Sequence, residues 1–528
     1  MNKVARRLCE SLSIVLFILA AGCGGAGYSG GASGGASGSG NGGRGGSGGS
    51  GGGPGSGGAN SGGTTGSGGA AGNGTGGAGI GDTVACAGQS PGTWLTMSTT
   101  NAPPPTPSAN AGLFWTGTEL YTYTYGAGAA NVAELYTPCA DTWRASAAPP
   151  SPRPTYVLPV AAANELLFFG PTWSPPVFAG FDYRQNQNAN LSVAGAIKAE
   201  FATIVTTGSK LIAWGGAIAR DPANAPSGWD GTQIGAVYDP ARGAWSPTTN
   251  SGAPAARVAP GVWTGSSLVV WGGQSGDTYM KGMYRYDCAR YPDGAGCAEF
   301  GDGAMYDPAR DAWTPISAAG APSARFNHIL AWTGERVLAW GGSKKGSTTN
   351  TLNDQLDELP LTDGGLYDPG TKTWTAVAAS PLPATASQAS GYFFLWSGKR
   401  LLAGQSGTAG GWLYDPHQNA WSTLAAPADF KGCFPALQAQ AGALIGLCTV
   451  GTSGVVMLLL PGETTWRTYP LPSGLLAGSL GLLWTGKHLF VWGGTLPTTF
   501  TCPPPSLQHP GCDPPPPTYS NAGFMLSP

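Results

Sequence analysis

The chain has 528 residues, a formal net charge of −2 and only 10% charged side chains. So sparse and balanced a charge leaves no basic surface for nucleic acid. Beyond the N-terminus no run is long and apolar enough to cross a membrane as a helix.

Lys3, Arg6 and Arg7 open the sequence, and an apolar run from Leu12 to Ala21 leads into Gly22-Cys23. The run is too short to span a bilayer, so residues 1–22 read as a secretory signal peptide. A cysteine directly behind small residues resembles a bacterial lipoprotein signal, with the usual leucine one place early, at Leu19. The resemblance implies that Cys23 is lipidated and becomes the mature N-terminus; simple cleavage with an unmodified Cys23 is the alternative. Gly24 stands where an aspartate would imply inner-membrane retention, so the expected location is the cell envelope, anchored to the outer membrane on its periplasmic side or at the cell surface.

Residues 23–84 form a linker of Gly, Ser, Ala, Asn and Thr, with Arg44 its only charge before Asp82. Such a stretch has nothing to bury and cannot offset its chain entropy. As a coil of about 60 residues it spans on the order of 40 Å. Gly45-Gly46-Ser47-Gly48-Gly49 matches a hydrolase motif by letter, but no strand or helix surrounds it.

From residue 85 onwards two phrases repeat. Tyr238-Asp239-Pro240 leads to Trp245, Tyr306-Asp307-Pro308 to Trp313, Tyr367-Asp368-Pro369 to Trp374, and Tyr414-Asp415-Pro416 to Trp421. Tyr136-Thr137-Pro138 leads to Trp143 at the same spacing, and Tyr183 to Asn190 and Leu459 to Trp466 are degenerate copies. A second phrase precedes the first: Trp263-Thr264-Gly265 runs to Trp271-Gly272-Gly273, Trp332-Thr333-Gly334 to Trp340-Gly341-Gly342, and Trp484-Thr485-Gly486 to Trp492-Gly493-Gly494, with weaker copies from Gly208 to Gly216 and from Trp396-Ser397-Gly398 to Gly404. Thr-Gly and Asp-Pro begin turns between short β-rich runs. Four short strands per repeat describe one propeller blade, and blades must stack in a ring to bury their faces.

Double glycine after an apolar strand, then Tyr, then Trp, resembles the kelch repeat of the galactose-oxidase-like propellers, over nearly all of residues 85–528. The resemblance implies an all-β, kelch-type β-propeller. First strands near Leu113, Val157, Ile204, Gly261, Ile329, Phe393, Leu437 and Leu482 give eight four-stranded blades, with seven as the alternative count. The C-terminal Leu526-Ser527-Pro528 lacks a following Trp strand, and Thr93-Trp94 near the N-terminus supplies one. An N-terminal strand is therefore expected to close the last blade.

In this topology the loops after Gly-Gly and the links between blades share one rim, and insertions gather there at about 217–234, 274–303, 343–363 and 495–520. Long loops on a rigid scaffold are the usual place for binding. With Cys9 removed and Cys23 lipidated, eight of the ten cysteines remain. Proximity suggests Cys288–Cys297, Cys433–Cys448 and Cys502–Cys512, and Cys86–Cys139 follows by elimination. None lies in a Cys-x-x-Cys pair, so no structural zinc site is implied.

Arg153, Arg257 and Arg325 sit in the links between blades. Kelch propellers that bind peptides or acidic ligands often use arginines from this region, and a guanidinium grips a carboxylate with two bonds. Bracing the blades through backbone carbonyls is the other reading. Trp173 and Trp229 lie outside the repeat positions and could stack on sugars or peptide side chains; His328 lies near a first strand. No catalytic residues, metal or cofactor are assigned. The sialidase Asp-box, the quinoprotein docking motif and the Tyr, His and Cys set of a radical-copper oxidase do not appear. The expected function is a monomeric binding or scaffold module for a protein or glycan ligand, with a carbohydrate-active enzyme acting from the insertion rim as the alternative.

Overall fold

Two side-chain-to-backbone turns recur through the repeats. In the first hairpin, the hydroxyls of Thr116, Thr264, Thr333, Ser397 and Thr485 accept from the N–H three residues on, at 2.9–3.1 Å. The glycine that follows each hydroxyl has φ near +100°, a conformation that other residues adopt only with strain. In the second hairpin, Asp239, Asp307, Asp368 and Asp415 each accept from the N–H two residues on, at 2.7–3.0 Å.

The structure is a computed structural model. It describes residues 82, 84 and 86, then 90–528 except 106–110, 125–130, 149–155, 161–164, 171–176, 220–228, 276–297, 351–354, 387–391, 406–409, 428–435, 451–452, 473–474 and 496–517. The described residues form eight antiparallel four-stranded sheets and no α-helix. Seven sheets are consecutive in sequence: 111–145, 156–190, 203–247, 261–315, 329–376, 392–424 and 436–470, blades 1 to 7. Blade 4 is representative, with Gly261–Trp263, Leu268–Trp271, Gly303–Asp307 and Ala312–Pro315 side by side in that order. The count is eight rather than seven, and each expected first strand is present.

Buried hydrophobic side chains fall into eight clusters, one in each interface between neighbouring blades. The pairs run from Tyr121 and Leu135 against Phe168 and Phe181, between blades 1 and 2, round to Phe490 and Met525 against Trp115 and Leu120, between blades 8 and 1. Both faces of every blade are therefore covered by neighbours, and none could fold as an isolated sheet. Tryptophans pair across four of these interfaces. The Trp that ends the second strand of one blade meets the fourth-strand Trp of the next: Trp214 with Trp313 at 5.4 Å, Trp271 with Trp374 at 5.3 Å, Trp340 with Trp421 at 5.5 Å, and Trp492 with Trp143 at 4.7 Å. Each fourth-strand Trp also packs on the Tyr paired with it across the hairpin, as Tyr306 on Trp313 at 5.1 Å.

The last of these contacts closes the ring. Blade 8 takes Leu476–Trp484, Leu489–Thr495 and Gly523–Leu526 from the C-terminus and Trp94–Thr96 from the N-terminus. Trp94 pairs with Leu526, Leu95 with Met525, and Thr96 with Phe524. Its indole Nε1 donates to Pro470 O at 2.8 Å, at the exit of blade 7. Trp313 makes the same bond to Thr249 O, Trp374 to Ser317 O, Trp421 to Ala378 O and Trp143 to Ser98 O. Trp94 thus fills a true fourth-strand position. Cys86 and Cys139 are disulfide-bonded, with Cα atoms 5.0 Å apart, and tie the incoming chain to blade 1. Cys448 is also disulfide-bonded; Cys433, Cys288, Cys297, Cys502 and Cys512 lie outside the described residues, as do Cys23, the signal peptide and nearly all of the linker.

One repeat position needs correction. In blade 2 the spacing puts Tyr183 in the Tyr place, but the strand pairing puts Phe181 opposite Asn188 there. Phe181 is fully buried and stacks on Tyr121 of blade 1 at 4.4 Å. Seven residues separate both pairs, so spacing alone could not choose between them; burial against the neighbouring blade does.

Deleting residues 86–98 should uncover the edge of Gly523–Leu526 and remove the half-buried Trp94, lowering stability by about 3 kcal/mol or more and promoting aggregation. Deleting residues 24–80 should leave the thermal midpoint unchanged. Calorimetry of the two truncated chains checks this, and equal midpoints would show that the N-terminal strand contributes nothing to closure.

Candidate functional site

The first strand of each blade starts at the link from the preceding blade, so the links and the loops between second and third strands lie on one rim. The turns within the two hairpins lie on the other. The loop rim carries additional structure in two blades. In blade 3, Ala217–Ala219 pairs with Trp229–Gly231, and in blade 5, Ser343–Asn350 pairs with Gln355–Pro360. Both hairpins stand beyond the Gly-Gly turns. Among the described residues four large hydrophobic side chains are exposed, and three of them, Ile218, Ile234 and Leu359, are on this rim.

Arg257 and Arg325 are at the base of the rim, and both are 0% exposed. The Arg257 guanidinium reaches forward into blade 4. It donates from Nη1 to Gly272 O at 3.2 Å and makes a two-pronged pair with Asp302 at 2.8 and 3.2 Å. It also lies 3.7 Å from the centre of the Phe300 ring. Its own backbone reaches back into blade 3, where Arg257 O accepts from Gly216 N at 2.9 Å and Arg257 N donates to Thr232 O at 3.3 Å. Arg325 repeats the arrangement one blade on. Its side chain donates to Gly341 O at 3.1 Å, Asp363 O at 2.9 Å and Asp363 Oδ1 at 3.0 Å, while its backbone joins Gly273 N and Phe300 O of blade 4. Each arginine is a stitch between two blades. Burial pulls both guanidinium pKa values down, and the aspartate partners oppose that shift.

Asp302 and Asp363 were not singled out from the sequence. A signal exists: an Asp-Gly precedes the third strand in blades 4 and 5, the two whose incoming link carries these arginines. Blade 3 has Ile234-Gly235 there and Ala199 at the arginine position. A second set also escaped notice. Asp141, Asp311 and Asn419, each five residues after the repeat Tyr, have φ near +50°. Their side chains accept from the Tyr hydroxyl, at 2.7–2.8 Å, and from a backbone N–H in the link before the blade, at 2.7–2.9 Å.

His328 is brought close to Arg325, but inside the wall of the ring. It is 1% exposed, and its ring meets Trp271 edge-on at 5.4 Å. A Cβ on Gly272 would come within 2.6 Å of its Cε1, so the first glycine of that Gly-Gly pair is required by the histidine as well as by its φ of +68°. Burial, and then the Arg325 charge, push its pKa down to about 3, so it stays neutral near pH 7. Trp229 lies in the blade 3 hairpin, in register with Ala219. Arg153 and Trp173 lie outside the described residues. Among the described residues no three His, Cys, Asp or Glu side chains come together as a metal site.

One carboxyl is out of keeping with its position. Glu200 pairs with Ala217 just as Val258 pairs with Gln274 and Phe326 with Ser343, and the latter two side chains are buried. Desolvation raises the Glu200 pKa to about 7. A carboxyl that holds its proton more tightly in the folded chain favours folding on the acid side, so this contribution is lost as pH rises from about 4.5 to about 7. Glu200→Gln should therefore leave stability at pH 4.5 nearly unchanged and raise it near pH 8 by about 1 kcal/mol, after allowance for solvent screening. Thermal midpoints of both proteins at the two pH values check the sign. Arg325→Ala should lower the unfolding free energy by about 3 kcal/mol, measured in urea, because several buried backbone acceptors lose their donor.

Residues 201–433, which hold blades 3 to 6, match the KLHDC2/KLHL20/DRC7 Kelch-repeats domain. No curated protein matches the chain. The matched repeats, and the same strand order carried through all eight sheets of the ring, make the folded region a kelch-repeat β-propeller.

Proposed function

We propose that the protein is a binding module of the bacterial cell envelope, held by a lipid on Cys23 and presenting the loop rim of its propeller to a protein ligand. Kelch propellers are commonly protein-binding scaffolds. The observation that carries the reading is the concentration of exposed large hydrophobics and extra hairpins on one rim, over a base locked by Arg257 and Arg325. Preformed apolar contacts on a rigid base bind with less ordering cost. Export is supported by the short apolar N-terminal run and by the disulfides at Cys86–Cys139 and Cys448, which suit an oxidising compartment.

Two experiments test this. The full mature chain, probed on peptide and glycan arrays, should select peptides, and Ile218→Asp combined with Leu359→Asp should abolish that binding without changing the thermal midpoint. Selection of glycans alone would overturn the protein-ligand reading. Mass spectrometry of the mature N-terminus should find lipid on Cys23; an unmodified peptide beginning at that residue would end the anchoring reading.

A further inference from the structure

The chain is fastened three times before it reaches the strand that closes the ring. Coming from the N-terminal side, Asp82 is met first. Its carboxylate accepts from the Thr485 hydroxyl and lies 2.7 Å from His488 Nδ1; the Asp82 and His488 side chains are 0% and 3% exposed. Val84 follows, with its carbonyl accepting from Lys487 Nζ. Cys86 is third, bonded to Cys139 in the second-hairpin turn of blade 1. Only then does the chain pass Ser90 and enter Trp94–Thr96.

The closing strand itself is short, and besides its backbone bonds it is held by the Trp94 indole on Pro470 O. It has three residues in register, flanked by Gly92 N to Ser527 O at 2.7 Å and Met97 N to Gly523 O at 2.9 Å. Pulled from its first residue, it would peel one backbone bond at a time, each worth about 1 kcal/mol net. Its loss would bare a sheet edge and open the ring.

We propose that Asp82, Val84 and Cys86 form a clasp, which passes tension arriving through the N-terminal segment into blade 1 and the inner hairpin of blade 8, and keeps it off the closing strand. The covalent bond leaves the chain at Cys86 for Cys139, so residues 90–97 lie outside the force path. The receiving turn is braced: Asp141 accepts from the Tyr136 hydroxyl at 2.8 Å and from Ser98 N at 2.7 Å, and Glu119 accepts from Thr137 Oγ1 at 2.9 Å. The seam is also built differently from its neighbours. In blades 5 and 6 the basic residue of the first-hairpin turn reaches the next blade's second turn, as Arg336 Nη2 reaches Pro416 O and Arg400 Nη2 reaches Leu460 O. At the seam His488 stands in that place and takes Asp82, a residue of the incoming segment, as its partner.

The mechanics need only a load that enters ahead of residue 82; that such a load arises in the cell rests on the anchoring reading above. The test is constant-force extension of the soluble full chain. One handle is fixed at a peptide tag inserted after Ala241, in a turn whose Arg242 side chain is 80% exposed. With the second handle at the N-terminus, no short step should precede unfolding of the ring. With the clasp removed by Asp82→Ala and Cys86→Ala, and the second handle moved to an unnatural side chain at Ser90, a short step of roughly 25 Å should appear at low force, from about eight residues at 3.3–3.6 Å each. Cys139→Ala pulled from the N-terminus should release about sixteen residues, from 82 to 97, a total of roughly 55 Å on the same basis. A short step in the native chain pulled from its N-terminus, or none when the chain without the clasp is pulled from residue 90, would overturn the proposal. Neither result depends on the lipid or on the ligand.

Discussion

At four of the eight interfaces the second-strand Trp of one blade packs on the fourth-strand Trp of the next, and the ring depends on this burial of one blade face against another. A four-stranded sheet with two apolar faces cannot satisfy both alone, and a large aromatic surface gains most from burial against another. The geometry of the pair also sets direction. Trp313 touches Trp214 of blade 3, packs on Tyr306 of its own blade, and donates its indole N–H to the carbonyl of Thr249 where the chain leaves blade 3. One side chain thus fixes the blade's distance, tilt and entry point. When Trp492 meets Trp143, the same contact closes the circle.

The fold was legible because that contact is written locally. Tyr and Trp face each other across a tight hairpin, so their spacing is constant, and the Gly-Gly after the second strand marks the loop. Blades 2 and 7 were the faint copies because their interfaces use Phe168, Phe181, Ile445 and Met457 where others use Trp and Tyr. Such residues bury as well but leave no distinctive letter. Their neighbours supply the register that their own sequence does not, as Tyr121 does for Phe181.

The candidate site was legible only in outline. Arg257 and Arg325 stood out by position, yet what they do depends on Asp302 and Asp363, 45 and 38 residues further on. The separation differs because the loop between second and third strands differs in length, so no fixed spacing could reveal the pair. Asp82 was hidden for another reason. It stands at the end of a glycine-rich stretch whose composition says coil, and its partner His488 is over 400 residues away. Only ring closure brings the two together.

The two rims consequently answer to different physics. On the turn rim, short hairpins, the incoming segment and the disulfide hold the seam, and there is little room for insertion. On the loop rim, each arginine stitch clamps the Gly-Gly carbonyl and the Asp-Gly that begins the third strand, so the loop is pinned at both ends where it leaves the blade. Whatever lies between those ends can lengthen at small cost, since closure entropy grows only slowly with loop length. That is why a hairpin of eight-residue and six-residue strands can rise from blade 5 without disturbing Trp340 beneath it, which remains 0% exposed. A base fixed by buried charge and a surface free to vary suit the binding rim proposed here, and in blades 4 and 5 both follow from where one guanidinium is placed.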